Sequence, residues 1–284
     1  MSATVRALQL RGAQAGLPRL EVQLMLCALL ACDRTWLIAH DDDALPEGTG
    51  ERFESWLQQR LDDVPLAYLT GHKEFHGLAL QVTGATLVPR PDTEVLVERA
   101  LRWLAACGRP APRVLDLGTG SGAIALAIKH SHPQALVTAT DFSPAALSVA
   151  QGNAERLGLD VRFLQGAWWD AVGNAVFDVV LSNPPYIDPQ DAHLAALRHE
   201  PLSALAAPEQ GLADLRQIIA GAPAHLAPGG LLLLEHGYDQ EAAVANLLRQ
   251  AGLDFQGCER DLGGQPRCSG ALAPEAVAND SQRL

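Results

Sequence analysis

The fold is decided by the stretch Arg113-Val114-Leu115-Asp116-Leu117-Gly118-Thr119-Gly120-Ser121-Gly122, which an apolar segment, residues 123–128, follows. A short apolar run that ends at closely spaced glycines and continues as an alanine-rich segment predicts a buried strand, a turn and a helix. Glycines at alternate positions let the backbone pass close to a ligand, because no Cβ atom intervenes. The helix start adds unpaired N–H groups, which attract polar or anionic groups. We therefore predict a ligand site at the end of this strand.

The glycine turn does not by itself define the ligand. Its Gly-x-Gly-x-x-Ala spacing also fits the fingerprint of nicotinamide-binding proteins. The next predicted strand, residues 135–141, ends in Asp141, and an acid roughly 20 residues past such glycines can accept hydrogen bonds from both ribose hydroxyls. Asp141 is alternatively the N-cap of the next helix, a position that Ser143 could fill instead, and Asp116 is alternatively a plain strand-end residue. For the set as a whole we favour cofactor binding.

A second motif, Asn183-Pro184-Pro185-Tyr186, follows an apolar run that predicts another buried strand, residues 176–181. Two prolines cannot continue a strand, because neither donates a backbone hydrogen bond and both fix φ. The chain therefore stops at the carboxyl end of the strand, where open α/β sheets bind ligands. It presents there the Asn183 amide, the Pro184 carbonyl and the Tyr186 ring. We interpret them as a clamp for a flat amino group; the alternative is a strand followed by a Pro-Pro turn.

Composition limits the function classes. The 284 residues are 48% hydrophobic, and 33 acidic against 21 basic side chains give a net charge of −12. Such an acidic chain is a poor binder of nucleic-acid backbones, so we expect no direct nucleic-acid partner. Five cysteines without a CxxC pair favour reduced thiols in a cytoplasmic protein. We expect no secretory signal and no membrane span, since the longest early apolar stretch, residues 24–32, is too short.

The pattern of the chain changes near residue 75. Helical periodicity dominates before that point, whereas residues 78–88 alternate around Gly84 and predict a β-hairpin. The predicted parts are a helical domain (1–74), a β-hairpin linker (75–90), a main domain (91–273) and a frayed tail (274–284).

The part after the second motif predicts the other half of a sheet. We expect a helix over residues 211–226, a turn at Pro228-Gly229-Gly230, a core strand over residues 231–234 and a helix over residues 240–250. What remains supplies antiparallel edge strands. We predict no metal site: His72 and His76 have zinc-like spacing only if helical and lack a third ligand.

The two motifs, in this order, resemble the S-adenosylmethionine-dependent methyltransferases. The resemblance implies an α/β fold with a seven-stranded, mostly parallel sheet and helices on both faces, and S-adenosylmethionine as cofactor. Two βα units fit between Asp116 and Asn183, which brings Asn183 onto a strand beside the cofactor strand. In that family Asn-Pro-Pro-Tyr marks enzymes that methylate a planar nitrogen, either the adenine amino group or a glutamine side-chain amide.

Further segments narrow the resemblance, namely residues 34–37, 65–71, 87–94, 116–122, 183–187 and 200–205. With them the chain resembles, over roughly residues 1–272, the bacterial peptide chain release factor glutamine N5-methyltransferases, the HemK/PrmC family. This implies a protein substrate, the glutamine of the Gly-Gly-Gln motif in class 1 release factors. It also implies that the helical N-terminal domain helps to recognise that substrate.

The resemblance assigns site residues as well. Cofactor binding falls on Gly118, Thr119, Gly120, Ser121, Gly122, Asp141, Trp168 and Asn183. Substrate binding falls on Asn183, Pro184, Pro185 and Tyr186, with Asn183, Pro184 and Tyr186 as catalytic residues. The family often has an acid just before the tryptophan, whereas this chain has Ala167, so Trp168 must carry more of the adenine binding. For Trp169 we favour a core position.

Other functions stay open at this stage. An adenine-N6 methyltransferase of nucleic acid would use the same clamp, and a ribosomal-protein glutamine methyltransferase differs mainly in its N-terminal segment. A nucleotide-binding oxidoreductase or a non-catalytic binding module explains the glycines but leaves Asn183 to Tyr186 without a task. The chain also carries its own Gly263-Gly264-Gln265, for which we favour a glycine turn over self-methylation. We expect a monomer in the cytoplasm that binds release factors and no membrane.

Overall fold

The computed structural model describes residues 4–275. The chain divides into two compact units, Met1–His72 and Lys73–Leu284. The predicted frayed tail lies outside the described residues from position 276 onward. Within the described range, no helix is long and apolar enough to cross a membrane.

The first unit is helical. Its helices are α1 (Val5–Gln14), α2 (Arg19–Leu30), α3 (Arg34–Ala39), α4 (Thr49–Leu61) and α5 (Leu66–Thr70). Helix α2 lies at the centre and packs against the other four. Its Met25 and Leu26 are fully buried together with Leu37, Phe53 and Leu57, so one apolar core holds the unit together.

A short hairpin follows, formed by β1 (His72–Phe75) and β2 (Leu78–Gln81). The predicted hairpin over residues 78–88 was placed too late, since only its first half is a strand and Gly84 lies in a later turn. The actual turn is His76-Gly77, with φ values of 48° and 78°. Two-residue hairpins favour positive φ at both turn positions, and a histidine at the first one concealed the signal.

The second unit alternates strands and helices. Its elements are α6 (Glu94–Ala106), β3 (Arg113–Leu117), α7 (Ala123–Ser131), β4 (Leu136–Asp141), α8 (Pro144–Leu157), β5 (Arg162–Gln165), β6 (Phe177–Ser182), α9 (Pro208–Gly211), α10 (Ala213–His225), β7 (Leu226–Glu235), α11 (Glu241–Gln250), β8 (Asp254–Arg260) and β9 (Pro266–Leu272). Short 3₁₀ turns lie at Pro91–Thr93, Trp168–Ala171, Ala192–Leu197 and Leu202–Ala204.

These strands form one seven-stranded sheet in the order β5-β4-β3-β6-β7-β9-β8. All neighbours run parallel except β9, which is antiparallel to both β7 and β8. The predicted sheet and its antiparallel edge are confirmed. Strand β6 pairs with β3, and Leu117 lies opposite Ser182. The glycine turn and Asn183 therefore leave the same edge of the sheet side by side, as predicted.

Helices cover both faces of the sheet. Val114 of β3 packs in an apolar cluster with residues of α6 and α7, whereas Leu115 and Leu117 pack in a second cluster with α10 and α11. Alternate residues of one strand point to opposite faces, so both faces of the sheet are buried. The predicted layers are confirmed.

The predicted turn at Pro228-Gly229-Gly230 is wrong, because these residues lie inside β7. The pairing of β6 with β7 shifts there: Phe177 lies opposite Leu226, and Val179 lies opposite Leu231. The extra residues of β7 form a bulge, one of the few places where a sheet tolerates proline.

Candidate active site

A cavity of about 360 Å³ lies at the carboxyl edge of the sheet. This size suits a small-molecule ligand. Of the predicted site residues, it brings together Gly118, Thr119, Gly120, Ser121, Asp141, Trp168, Asn183 and Pro185. Gly122, Pro184 and Tyr186 are not among its lining residues.

The glycine turn needs glycines for two different reasons. Gly118 has a φ of 74°, and a Cβ atom there would come within 3.2 Å of the Trp168 ring. Gly118 therefore makes room for the indole beside the cavity. Gly122, with a φ of 85°, precedes α7, and a Cβ atom there would meet Leu126 at 2.9 Å. A glycine at position 122 thus lets α7 pack closely under the turn.

Asp116 supports the turn from below. It is fully buried, and its Oδ2 accepts hydrogen bonds from Thr119 Oγ1 at 2.6 Å and from the Ala125 amide at 3.2 Å. Burial raises the pKa of Asp116 to about 7, while these two donors act in the opposite direction. From the sequence alone, Asp116 could be a plain strand-end residue. In the structure it accepts hydrogen bonds from both the glycine turn and the first turn of α7.

Asp141 lies at the end of β4, nearly buried against the cavity. Its Oδ2 accepts from the Gly120 amide and its Oδ1 from the Ser143 amide, each at 2.9 Å. Ser143 caps α8 by accepting from the Ala146 amide at 3.2 Å, so the N-cap alternative for Asp141 is wrong. Burial raises the pKa of Asp141, and the backbone donors oppose that shift. The Phe142 amide also donates to this carboxylate, and the lone pairs that remain can accept from hydroxyl donors.

Trp168 begins a 3₁₀ turn with an unusual φ of 46°. Its side chain hydrogen-bonds to Asp214 of α10, which lowers the pKa of that acid, while burial raises it more strongly. Asp214 and Ala167 both line the cavity, so an acid from a distant helix reaches this site. No local pattern in the sequence indicates Asp214 as a site residue, because only the packing of α10 brings its side chain to the cavity.

Trp169 points away from the cavity. Its ring stacks on His225 with centroids 4.5 Å apart, and its Nε1 donates to the Ile218 carbonyl at 3.2 Å. The predicted core position of Trp169 is confirmed.

Asn183 directly follows β6 and is half-buried at the cavity. Its Nδ2 donates to Thr93 Oγ1 at 3.1 Å. The amide oxygen Oδ1 is therefore the end that remains for another donor. Thr93, from the 3₁₀ turn before α6, also lines the cavity, and no local sequence pattern indicates this contact.

Tyr186 takes a different position from the one predicted. The motif predicts a ring that belongs to the clamp for a flat amino group, but the ring packs against the apolar cluster of α10 and α11. Its hydroxyl donates to Glu235 Oε1 at 3.1 Å, and burial raises the pKa of this phenol. A buried carboxylate at the end of β7 requires such a donor, which explains the orientation of the ring.

Backbone contacts fix the course of the Asn-Pro-Pro-Tyr loop. The amides of Tyr186 and Ile187 donate to the Leu205 carbonyl at 3.2 and 2.9 Å, and Ala207 donates back to Ile187 at 3.0 Å. The Tyr186 carbonyl accepts from Gln240 Nε2 at 3.0 Å. The loop is thus held from two sides.

A methyl group at position 211 should disturb this loop. A Cβ atom at Gly211 would lie 1.9 Å from the Tyr186 carbonyl oxygen, and the φ of Gly211 is +80°. We expect Gly211→Ala to lower stability by about 2 kcal/mol and to lower activity about tenfold. Gly252→Ala is the control, because Gly252 has a φ of +77° with no atom within 4 Å. Thermal unfolding and methyl transfer assays compare them; equal effects of both variants would contradict the role of the Tyr186 contact.

Glu200 connects two segments that line the cavity. It is buried, accepts from the Val88 amide at 3.0 Å and pairs with Arg90. Residues on both sides of this link, including Pro89 and Ser203, line the cavity. In the sequence, only the resemblance to the family pointed to these two segments, residues 87–94 and 200–205.

The chain matches two family models. The PrmC N-terminal domain matches residues 6–71, and the Methyltransferase small domain matches residues 93–251, more than half of the chain. A release factor glutamine methyltransferase of Bordetella pertussis is 51% identical over 261 residues, covering 91% of this chain and 96% of that protein. The same-named protein of Escherichia coli is 42% identical over 254 residues, covering 88% and 90%.

A solved structure, a methyltransferase from Pyrococcus furiosus, shares the fold. Its TM-score is 0.53 at 20% identity, with 70% of this chain and 90% of that chain covered.

The fold and the cavity define an S-adenosylmethionine-dependent methyltransferase with a seven-stranded sheet. The residues present fit this cofactor, because a fixed carboxylate, a glycine turn that a Cβ atom would fill and an indole ring line one cavity. The chain belongs to the release factor glutamine methyltransferase family. This confirms the family predicted from its motifs.

Proposed function

We propose that the chain transfers a methyl group from S-adenosylmethionine to the side-chain amide nitrogen of the glutamine in the Gly-Gly-Gln motif of class 1 release factors. One observation carries the proposal. The Asn183 carboxamide is fixed by Thr93 at the cavity that Asp141 and the glycine turn also line. The names of the relatives, which are 42% and 51% identical to this chain, support the same substrate.

The chemistry follows from the weakness of the nucleophile. The lone pair of a primary amide nitrogen is delocalised into its carbonyl group. Hydrogen bonds from its N–H groups to Asn183 Oδ1 and to the Pro184 carbonyl would fix its plane. They would also stabilise the positive charge that grows on the nitrogen during transfer.

The remaining rate comes from placement. The cofactor supplies a methyl group on a sulfonium, which is already activated, so in-line alignment of the nitrogen carries much of the catalysis. The proton can leave after transfer, so the mechanism needs neither a strong base nor a metal. Tyr186 contributes by anchoring the loop to Glu235, and Pro185 forms part of the cavity wall.

We also propose that the helical unit, residues 4–72, helps to hold the release factor. It exposes several large apolar side chains, namely Leu10, Leu20, Leu24, Ile38 and Leu61. Leu20 and Leu24 lie one turn apart on α2 and share one face. Exposed apolar side chains on one helix face support a contact with another protein.

Composition supports the proposed compartment and partners. The five cysteines are free thiols, which suits the cytoplasm, where release factors act. The net charge of −12 argues against a nucleic-acid substrate and so against an adenine-N6 methyltransferase. We expect a monomer that binds no membrane.

A substrate panel tests the proposal. The protein is incubated with S-adenosylmethionine carrying a labelled methyl group and with a class 1 release factor, ribosomal proteins or DNA. We expect label on the release factor and none on a release factor whose Gly-Gly-Gln glutamine is replaced by alanine. Label on DNA or on a ribosomal protein, with none on the release factor, would overturn the proposal.

The chain's own Gly263-Gly264-Gln265 should remain unmodified. The backbone N–H of Gln265 donates to Asp261 Oδ1 at 2.9 Å, and the backbone carbonyl of Gln265 accepts from the backbone N–H of Asp261 at 2.9 Å. These two hydrogen bonds close a turn around Gly264. This is the glycine turn expected between β8 and β9. After incubation with cofactor alone, mass spectrometry should find less than about 5% methylated Gln265, since displacing these hydrogen bonds costs free energy. Extensive methylation would contradict this.

A further inference from the structure

The Asn183 carboxamide has two different ends, and Thr93 binds one of them. Its Nδ2 donates to Thr93 Oγ1 at 3.1 Å, and Thr93 is buried (4% exposed). A carboxamide offers donors at the nitrogen and acceptors at the oxygen. With the nitrogen held by Thr93, the oxygen is offered to an incoming N–H group. A carboxamide rotated by 180° would present its own N–H groups instead and repel the substrate's.

A hydroxyl group alone does not fix this orientation. The Thr93 oxygen can accept from an Asn183 N–H group, but its hydrogen can equally be donated to the Asn183 oxygen after a rotation of the amide. Only a second partner that takes the Thr93 hydrogen permanently makes the hydroxyl an acceptor towards Asn183.

Glu235 is placed to be that partner. It ends β7, is 1% exposed, and accepts from the Tyr186 hydroxyl through Oε1. Its other oxygen, Oε2, has no hydrogen-bond partner within residues 4–275. The Thr93 side chain lies close enough to this carboxylate to lower its pKa. Because an unsatisfied buried carboxylate oxygen is costly, the Thr93 hydroxyl is the donor expected to satisfy it.

We propose that Glu235 and Thr93 are positioning residues for methyl transfer: the Glu235 carboxylate orients the Thr93 hydroxyl, and this hydroxyl orients the Asn183 carboxamide so that Oδ1 faces the nitrogen to be methylated. The inference rests on the function proposed above. The same carboxylate binds the Tyr186 hydroxyl, so both ends of the Asn-Pro-Pro-Tyr loop are tied to one group.

The orienting effect therefore depends on the negative charge of Glu235. Burial raises its pKa to about 7, and the groups that act on it are Asp92, which raises the pKa, and Thr93, Tyr186 and Arg267, which lower it. Arg267 is itself paired with Asp261 at 2.9 Å, and burial lowers the pKa of the neighbouring His236. Below the pKa, Glu235 is a neutral acid with its own O–H donor and no longer requires the Thr93 hydrogen. The orienting effect is then lost.

Three substitutions test the network. Thr93→Val keeps the shape and removes the hydroxyl, Thr93→Ser keeps the hydroxyl, and Glu235→Gln removes the charge. Thr138→Val is the matched control, since Thr138 is a half-buried threonine in the middle of β4 and does not line the cavity. Kinetics are measured with a class 1 release factor, and cofactor binding is followed by calorimetric titration.

We expect kcat to fall about tenfold in Thr93→Val and in Glu235→Gln, as for the loss of one hydrogen bond in a buried site. The KM for the release factor should change by less than about threefold, and Thr93→Ser should recover kcat to within about threefold of the unmodified protein. The unmodified protein should show a rise in kcat through about pH 7, which Glu235→Gln lacks. Thr138→Val should match the unmodified protein.

A second readout does not depend on turnover. In nitrogen–proton NMR spectra, the Asn183 side-chain NH₂ pair is assigned by its loss in Asn183→Ala. Its hydrogen-bonded proton should move upfield in Thr93→Val and return towards its original position in Thr93→Ser. In the unmodified protein the pair should shift with pH near 7, and in Glu235→Gln it should not.

The outcomes separate the two proposals. If the unmodified protein does not methylate the release factor, the proposed function fails, while the NMR test of the network still applies. If the unmodified protein methylates it and Thr93→Val and Glu235→Gln stay within twofold in kcat, the network is not needed and the inference is overturned. Failure of Thr93→Ser to recover kcat would overturn it as well, because the hydroxyl would not be the acting group.

Discussion

The Asn183→Ala variant is expected to keep its affinity for S-adenosylmethionine and to lose about 100- to 1000-fold in kcat. Asn183 Oδ1 is the side-chain acceptor proposed to hold an N–H group of the substrate amide while positive charge develops on its nitrogen. The alanine variant loses this acceptor and also the contact with Thr93. An interaction that strengthens in the transition state affects kcat more than ground-state binding.

Calorimetric titration with the cofactor and methyl transfer assays, performed on the same preparations, measure the two effects separately. Asn246→Ala is the matched control, because it removes the same carboxamide from an exposed position on α11. It should be indistinguishable from the unmodified protein. A parallel loss of cofactor affinity and turnover in Asn183→Ala would refute the assigned role, since it would make Asn183 mainly a cofactor-binding residue.

The Asp141→Ala variant is expected to show the opposite division. Its carboxylate lines the cavity and is held by the Gly120 and Ser143 amides, in a position to accept hydrogen bonds from a ribose diol. Hydrogen bonds to a charged acceptor contribute about 1.5–3 kcal/mol, so the cofactor Kd should rise about 10- to 100-fold. At saturating cofactor, kcat should fall by less than about fivefold.

Calorimetric titration and assays at high cofactor concentration measure these quantities. Asp160→Ala, an exposed carboxylate outside this cavity, is the control and should leave the Kd unchanged. Thermal unfolding without cofactor checks that the loss of the Gly120 contact has not unfolded the glycine turn. A cofactor Kd within twofold of the unmodified value would rule out the proposed ribose contact.

The parts of the fold that follow from short-range pattern were predictable. The strand before Gly118 and the strand before Asn183 are apolar runs with abrupt ends, and their order along the chain places them side by side in a known type of sheet. The bulge in β7 was not predictable in the same way. Pro228-Gly229-Gly230 has the composition of a turn, and only pairing with β6 on one side and β9 on the other keeps it extended.

The same distinction between local pattern and long-range packing applies to the residues of the site. The glycine turn, Asp141 and Asn183 stand at strand ends that the sequence marks. Thr93, Asp214 and Glu235 come from other elements, and the folding of distant segments alone brings them together. Tyr186 shows the consequence. The motif indicated an aromatic ring for the substrate. In the structure, the Tyr186 hydroxyl donates to the buried Glu235, and the ring packs against the apolar cluster of α10 and α11. The local sequence pattern does not indicate Glu235 as this partner.

The most direct test of the central claim is a crystal structure of the protein with S-adenosylhomocysteine and a peptide that contains Gly-Gly-Gln. The account predicts that the glutamine side-chain nitrogen lies about 2.9 Å from Asn183 Oδ1, with its other N–H group directed at the Pro184 carbonyl. The nitrogen should also face the sulfur atom. A glutamine nitrogen bound elsewhere, with the oxygen atoms of Asn183 and Pro184 turned away from the sulfur, would contradict the account.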